Sequence, residues 1–226
     1  MITQGAASDK VLPSHLVSAL LKELDVFPFP WVDSRKRRRS AIRGDNICVS
    51  VGLGRNFFTQ KYAVVNRFAG MASTQNILKL LSVYIKTPFT NIQINKNFPG
   101  KLHVDKHNRG LSSMVTVGHN CSGGQLWING STRETLNRCI VFNGNEAHMT
   151  LPYTGTRYSL IFFTHDHVMN STPATLIQLK RLGFAVRKLP PTIKETNVLD
   201  KARDLAERQI TQGKLSTKMK ERLSSP

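Results

Sequence analysis

The spacing of three side chains constrains the fold of this chain more than any other feature of its sequence. His103 and Asp105 are separated by one residue, and His148 follows much later in the chain. Two imidazoles and one carboxylate form a donor set that holds non-haem Fe(II) and leaves other coordination positions open. Because alternate residues of a strand project from one face, we expect His103 and Asp105 to share a strand face. The third ligand must then come from a distant strand, which requires a fold that brings distant strands together.

Arg157 and Ser159 open an apolar strand shortly after His148. A buried guanidinium requires an anionic partner. We expect a hairpin with its turn at residues 153–155 to return Arg157 to the side of His148. A small dicarboxylate, held by the metal at one end and by Arg157 at the other, would satisfy both groups, and Ser159 would add a hydroxyl to that carboxylate.

The hydrophobic period changes from helical to two after residue 89, where short segments alternate with turns rich in Gly, Asn and Ser. The predicted strands span residues 92–95, 113–117, 125–129, 139–142, 147–151 and 157–164. Gly123 and Gly124 predict a tight turn with positive φ. This pattern favours a two-layered jelly roll. Such a fold brings distant strands together, as the spacing of the three ligands requires.

Helical patterns flank the predicted strands. They cover residues 14–25, 73–86, 174–182 and 197–213, and a further strand pattern covers residues 47–51. The predicted fold class is therefore α+β and mainly β, with a double-stranded β-helix (jelly-roll) core. We predict an N-terminal helical and strand buttress with a basic loop (1–89), the jelly-roll core (90–164) and a basic helical C-terminal extension (165–226).

The formal net charge of +18 suggests a polyanionic partner, nucleic acid first. The excess divides evenly among residues 1–70, 71–164 and 165–226. A basic protein kept soluble by its charge, or one that binds an acidic protein, would have the same charge excess. The basic cluster is a nuclear-import signal, a phosphate-contacting loop or a solvated loop, and it consists of Arg35, Lys36, Arg37, Arg38 and Arg39.

The cellular compartment is predicted from features that the sequence lacks. No apolar run has the length of a membrane span, the first residues show no signal-peptide pattern, and the three cysteines have no metal-type spacing. We expect an intracellular protein with no membrane partner, nuclear if the basic cluster is an import signal. The sequence does not determine the oligomeric state.

Several of these segments together resemble the core of the 2-oxoglutarate/Fe(II)-dependent dioxygenase superfamily, over about residues 90–164. They are residues 95–105, the Gly-Gly-Gln-Leu-Trp run at 123–127, His148, and Arg157 to Ser159. The sequence around His103, Asp105, Gly110 and the two glycines is most similar to the TET/JBP nucleobase-oxidising branch. The interval from His148 to Arg157 is more similar to that of prolyl hydroxylases.

The resemblance implies roles for individual residues. His103, Asp105 and His148 would be the catalytic Fe(II) ligands, while Arg157 and Ser159 would bind 2-oxoglutarate, with O2 as the second cosubstrate. Asn95 and Asn97 occupy places similar to the Asn-x-Tyr cosubstrate contacts of the AlkB branch, although Asn97 stands where that branch has tyrosine.

The leading hypothesis for the substrate is a methyl group on a nucleic-acid base, thymine or 5-methylcytosine, with DNA favoured over RNA. The alternatives are a prolyl-hydroxylase-like enzyme that hydroxylates protein side chains, and a non-catalytic nucleic-acid-binding barrel. Asn108 and Arg109, close after the ligand pair, are candidate nucleic-acid contacts together with residues 35–39.

A competing metal-type cluster, His165-Asp166-His167, follows the last predicted strand. It has no arginine in register and is predicted to lie on a loop. Trp127 is interpreted as a core residue in preference to a stacking platform for substrate.

Overall fold

The computed structural model describes residues 9–29, 47–55, 59–64, 67–189 and 198–223. The strands are β1 (Lys10–Val11), β2 (Ile47–Arg55), β3 (Tyr62–Val64), β4 (Asn91–Lys96), β5 (Asn108–Gly123), β6 (Leu126–Ile128), β7 (Ser131–Arg133), β8 (Arg138–Phe142), β9 (His148–Thr150) and β10 (Tyr153–His165). The helices are α1 (Ser14–Asp25), α2 (Ala72–Leu81), α3 (Pro173–Arg181), α4 (Val198–Thr211) and α5 (Lys220–Leu223), with 3₁₀ segments at Arg67–Gly70, Asp166–Asn170 and Thr217–Met219. Within these ranges no helix combines the length and apolar character needed to cross a bilayer.

Two antiparallel sheets form the core. The major sheet has the strand order β1-β8-β5-β10-β4-β2-β3, and the minor sheet has the order β7-β6-β9. A small apolar cluster joins the two sheets, since Met114 of β5 and Phe142 of β8 pack with Leu126 and Ile128 of β6. This cluster fills part of the space between the sheets, and the rest of that space is the cavity described below.

The outer face of the major sheet is covered by helices α1, α2 and α3. The stripe of Leu16, Leu20 and Leu24 on α1 is buried against this sheet, as the i, i+4 spacing of a core-facing helix requires. Alternate residues of β10, among them Tyr158 and Leu160, face the same core. The other face of β10 therefore points to the cavity.

The outer face of the minor sheet is covered by the C-terminal segment. Trp127 of β6 and Met149 of β9 are fully buried against α4 and the residues that follow it, including Met219. The Trp127 Nε1–H donates to Gln209 Oε1 at 2.8 Å, so its one polar group is satisfied within this core. The interpretation of Trp127 as a core residue is confirmed.

The predicted α+β, mainly β class with a jelly-roll core is confirmed, since both sheets, the helical buttress and the C-terminal helices are present. Gly123 and Gly124 have φ of 79° and 74°, as predicted for their turn. Strand β2 pairs with β4, so the N-terminal segment contributes to the same sheet as the core. The division of the chain at residues 90 and 165 stays a prediction.

Two expectations about the elements need correction. The prediction of a hairpin between His148 and Arg157 is wrong, because β9 belongs to the minor sheet and β10 to the major sheet. The second helix ends at Leu81, not near residue 86, and the Ser82 hydroxyl donates to the Lys79 carbonyl where the helix stops. Strands β1, β3 and β7 and helix α5 were not predicted, since two to four residues carry too little periodic pattern to identify.

Candidate metal centre

His103 and His148 meet through the backbone. The His103 N–H donates to the His148 carbonyl at 3.0 Å, and the His148 N–H donates to the His103 carbonyl at 2.9 Å, which makes an isolated antiparallel bridge. The expectation that His103 and Asp105 share a strand face is wrong, because Asp105 lies in the loop that follows this bridge. The loop is held by the Asp105 N–H, which donates to the Gly144 carbonyl at 2.8 Å.

The three predicted ligands converge. His103 Nε2 lies 3.6 Å from Asp105 Oδ1, and His148 Nε2 lies 3.9 Å from Asp105 Oδ2. One ligand atom from each residue can be chosen so that all three lie within 4.8 Å of one another. This spacing fits three donors around one ion.

Backbone carbonyls select the tautomer of both histidines. His103 Nδ1 lies 2.6 Å from the Lys101 carbonyl oxygen, and His148 Nδ1 lies 2.8 Å from the Glu146 carbonyl oxygen. A carbonyl oxygen accepts hydrogen bonds only, so each Nδ1 carries the proton. Both Nε2 lone pairs are therefore available on the side of Asp105, which is the arrangement that metal-binding histidines adopt.

The two imidazoles differ in exposure. His103 is exposed, whereas His148 is buried. Burial, followed by the nearby His103, lowers the pKa of His148 to about 4. His148 is therefore neutral at neutral pH, which is the form that binds a metal.

Asn108 holds the carboxylate in place. Its Nδ2–H donates to Asp105 Oδ2 at 3.0 Å, and Asn108 itself is buried. Gly144 leaves room for this hydrogen bond, because a Cβ at that position would lie 2.9 Å from Asp105 Oδ2 and 3.0 Å from Asn108 Nδ2. The sequence made Asn108 a candidate nucleic-acid contact, which stays a prediction, and it gave no sign of the roles of Asn108 and Gly144 beside Asp105.

The three ligands line a cavity of about 220 Å³ between the two sheets. That volume lies below the roughly 300–1,000 Å³ typical of pockets for drug-sized ligands. Its polar lining includes Asn95 and Ser159, and the Asn95 Nδ2–H donates to Ser159 Oγ at 3.2 Å. The remaining wall is mostly apolar, formed by Phe98, Met114, Leu126, Phe142, Ile161 and Phe163.

Arg157 is buried on the same face of β10 as Ser159, although it is not among the residues that line the cavity. Its Nη2 donates to the Gly124 carbonyl at 3.3 Å, and a Cβ at Gly124 would lie 2.8 Å from Arg157 Nε. Burial lowers the pKa of Arg157 to about 10, so the guanidinium stays charged at neutral pH. Its Nε has no hydrogen-bond partner within the described residues, and no carboxylate there pairs with it.

Asn97 is placed differently from Asn95. It adopts a left-handed backbone with φ of 52°, its Oδ1 accepts from the Arg157 N–H at 2.9 Å, and its own N–H donates to the Arg157 carbonyl at 2.8 Å. Asn97 is not among the cavity-lining residues, and both of these bonds hold the backbone of Arg157. A ligand contact of its side chain stays a prediction.

The remaining predicted contacts are placed as follows. Residues 35–39 lie outside the described ranges. Arg109 follows Asn108 in β5 and is partly buried, with Nε and Nη1 lacking partners among the described residues. The second cluster, His165-Asp166-His167, also brings its ligand-type atoms within 4.8 Å of one another.

No family model and no curated protein matches the chain. Among solved structures, it is similar to NgTET1 in complex with 5mC DNA, with 15% identity, a TM-score of 0.46 and coverage of 75% of this chain and 77% of the other. It is also similar to a prolyl hydroxylase from Trichoplax adhaerens in complex with a hypoxia inducible factor peptide, with 15% identity, a TM-score of 0.47 and coverage of 73% and 87%. A third is an oxidoreductase of the 2OG-Fe(II) oxygenase family from Burkholderia pseudomallei, with 14% identity, a TM-score of 0.42 and coverage of 69% and 82%.

Proposed function

We propose that this chain is an Fe(II)- and 2-oxoglutarate-dependent dioxygenase. The observation that carries the proposal is the convergence of His103, Asp105 and His148 at the wall of a cavity between the two sheets, with both Nε2 atoms free to bind a metal. Two imidazoles and one carboxylate occupy at most one face of an octahedral ion, so other positions stay open for small ligands.

The residues present fit both groups that this activity requires. The donor set suits Fe(II), and the carboxylate of Asp105 offsets part of its charge. Arg157 fits the cosubstrate, because a buried guanidinium with an unpartnered Nε and no acidic neighbour among the described residues needs an anion. Ser159 lies between Arg157 and the cavity on the same strand face and adds a hydroxyl donor.

When bound, Fe(II) with 2-oxoglutarate and O2 supplies the oxidising chemistry, in which a substrate C–H bond is hydroxylated while 2-oxoglutarate becomes succinate and carbon dioxide. The protein's part is to orient the ligands and to line the site with apolar side chains. Asn108 holds the carboxylate of Asp105, and the Lys101 and Glu146 carbonyls hold the imidazoles. The mostly apolar wall lowers the local dielectric constant, which strengthens the contacts between charged groups at the site.

Succinate formation from 2-oxoglutarate in the presence of Fe(II) tests this activity. We expect the wild-type chain to turn over 2-oxoglutarate and the His103→Ala and Asp105→Ala variants to lose at least about 100-fold of that rate, since each removes a ligand. His15→Ala, which alters an exposed histidine of α1, is the matched control and should keep the wild-type rate. Wild-type rates in a folded ligand variant would refute the metal assignment.

Arg157→Gln tests the cosubstrate site separately. Loss of a charge-assisted hydrogen bond to a carboxylate costs about 1.5–3 kcal/mol, so we expect the KM for 2-oxoglutarate to rise about 10- to 100-fold. Saturating 2-oxoglutarate should restore most of the rate. An unchanged KM in the folded variant would show that Arg157 does not contact the cosubstrate.

We propose further that the oxidised group is a methyl on a nucleic-acid base, thymine or 5-methylcytosine, in DNA. The support is the net charge of +18 and the sequence similarity to the TET/JBP branch. Because the metal ligands line a cavity between the sheets, the base would leave the stack of a duplex or come from a single strand. The phosphates of that strand would meet the basic surface, so affinity should fall steeply as salt rises.

Mass spectrometry of nucleosides after incubation with methylated DNA or RNA tests the substrate. Hydroxymethylated bases from DNA are the expected product. Succinate formation stimulated by proline-containing peptides alone would instead favour the prolyl-hydroxylase-like alternative. Nucleic-acid binding without succinate formation under any condition would favour the non-catalytic barrel.

A further inference from the structure

A second group of metal-type side chains lies at the end of β10. His165 is the last residue of that strand, and Asp166 and His167 open the 3₁₀ segment that follows. His165 Nδ1 lies 2.7 Å from Asp166 Oδ1, and the ring centroids of His165 and His167 are 3.8 Å apart. All three residues are partly buried.

A fourth side chain reaches this group from the loop after Asp105. His107 Nδ1 lies 2.9 Å from Asp166 Oδ2, and the His107 ring stacks parallel to the ring of His165 with centroids 5.5 Å apart. The two segments are also joined by the backbone, since the Asp166 N–H donates to the His107 carbonyl at 2.8 Å. Three imidazoles and one carboxylate are thus gathered from two distant parts of the chain.

Hydrogen bonding satisfies part of this group. The 2.7 Å approach of His165 Nδ1 to Asp166 Oδ1 is a hydrogen bond when that nitrogen carries the proton, so this pair is satisfied within the protein. Nδ1 of His167 is buried and lacks a hydrogen-bond partner among the residues that the structure describes.

The donor types in this group match those of zinc sites in proteins. Imidazole nitrogens with one carboxylate oxygen make up the donor set that Zn²⁺ takes in proteins.

We propose that His165, Asp166 and His167 form a second site for a divalent transition metal of the zinc class, with His107 orienting the Asp166 carboxylate from beside the site. None of these four residues is among those lining the cavity, so the site is separate from the one assigned to Fe(II). The second site joins the loop after Asp105 to the end of β10, beside Asn108, which pairs with His165 in the sheet.

Zinc binding by the full chain tests the proposal independently of any enzyme activity. The His103→Ala, Asp105→Ala double variant disables the first site and leaves the second intact. After equilibration with ZnSO4 and gel filtration, atomic emission should find about one tightly held zinc in this variant. Adding His167→Ala should remove that zinc, whereas adding His15→Ala, an exposed histidine on α1, should not.

Asp166→Asn replaces a single heavy atom and provides a second test in case the His167→Ala variant misfolds. In the same double-variant background it should lower zinc affinity at least about 10-fold and abolish the zinc-dependent rise in Tm, while circular dichroism stays native. Absence of zinc from the double variant would overturn the proposal. Zinc binding that neither His167→Ala nor Asp166→Asn reduces would also overturn it.

Discussion

At the scale of single residues, the site depends on groups that hold the ligands as much as on the ligands. Asp105 lies in a loop, where a carboxylate would rotate freely without a partner. Asn108 donates to one of its oxygens, and Gly144 leaves room for that contact. The hydrogen bond directs Asp105 toward the two Nε2 atoms before any ion binds, which lowers the entropy lost on binding.

Asn108→Ala should therefore weaken metal binding without removing a ligand. We expect the Kd for Fe(II), or for Mn(II) as a stable probe, to rise about 10- to 100-fold. Isothermal titration calorimetry under anaerobic conditions measures it. Asn76→Ala is the matched control, because Asn76 donates to Glu23 on an exposed surface of α2. An unchanged Kd in the folded Asn108→Ala variant would show that Asn108 does not position Asp105 for metal binding.

At the scale of elements, the C-terminal helices secure both histidine segments. The Leu102 N–H, next to His103, donates to the Arg222 carbonyl at 2.9 Å. Arg222 Nη1 donates to the carbonyl of Thr150, in the same strand as His148, at 2.6 Å. The segment that looks like an extension in the sequence is therefore part of the support of the metal centre.

Met219→Ala tests this coupling. Met219 is fully buried between the minor sheet and the C-terminal helices, so its truncation leaves a cavity and should cost about 2–5 kcal/mol of unfolding free energy. Urea denaturation measures the loss, and metal affinity should fall in the same variant. Met169→Ala, at a side chain 41% exposed, should change neither quantity. Equal stability of the two variants would contradict the packing role of the C-terminal segment.

At the scale of the whole molecule, helices, major sheet, cavity, minor sheet and C-terminal helices form successive layers. The cavity wall removes His148 from water, and this burial links the site to the stability of the fold. Below its ordinary pKa of 6.5, His148 takes up a proton when unfolded but not when folded, until the pH approaches about 4. The unfolded state then binds more protons, so stability falls as pH falls through this window.

We expect the chelator-treated wild type to be about 2 kcal/mol less stable at pH 5 than at pH 7 from His148 alone. His165, whose pKa burial also lowers to about 4, adds a loss of the same sign. Urea denaturation at the two pH values measures the sum. His148→Gln should show a smaller pH dependence, and His15→Gln should match the wild type. Identical pH dependence in all three proteins would contradict the low pKa of His148.

The sequence by itself determined the chemistry of the donors and most of the elements. The stripe on α1, the period-two segments from residue 92 to residue 164 and the Gly123-Gly124 turn are local patterns, and each appears where it was predicted. The pairing of His103 and Asp105 with His148 also followed from the sequence, because the donor set is chemically specific even when its parts are far apart.

Only the tertiary structure decided how these donors are held. Asp105 lies in a loop, Arg157 belongs to a different sheet from His148, and Asn108 points to Asp105. Arg222 contacts the segments of both histidines from the far end of the chain. Such contacts join residues widely separated in sequence and depend on how whole layers pack. Hydrophobic periodicity records which face of an element is buried and carries no information about its partner.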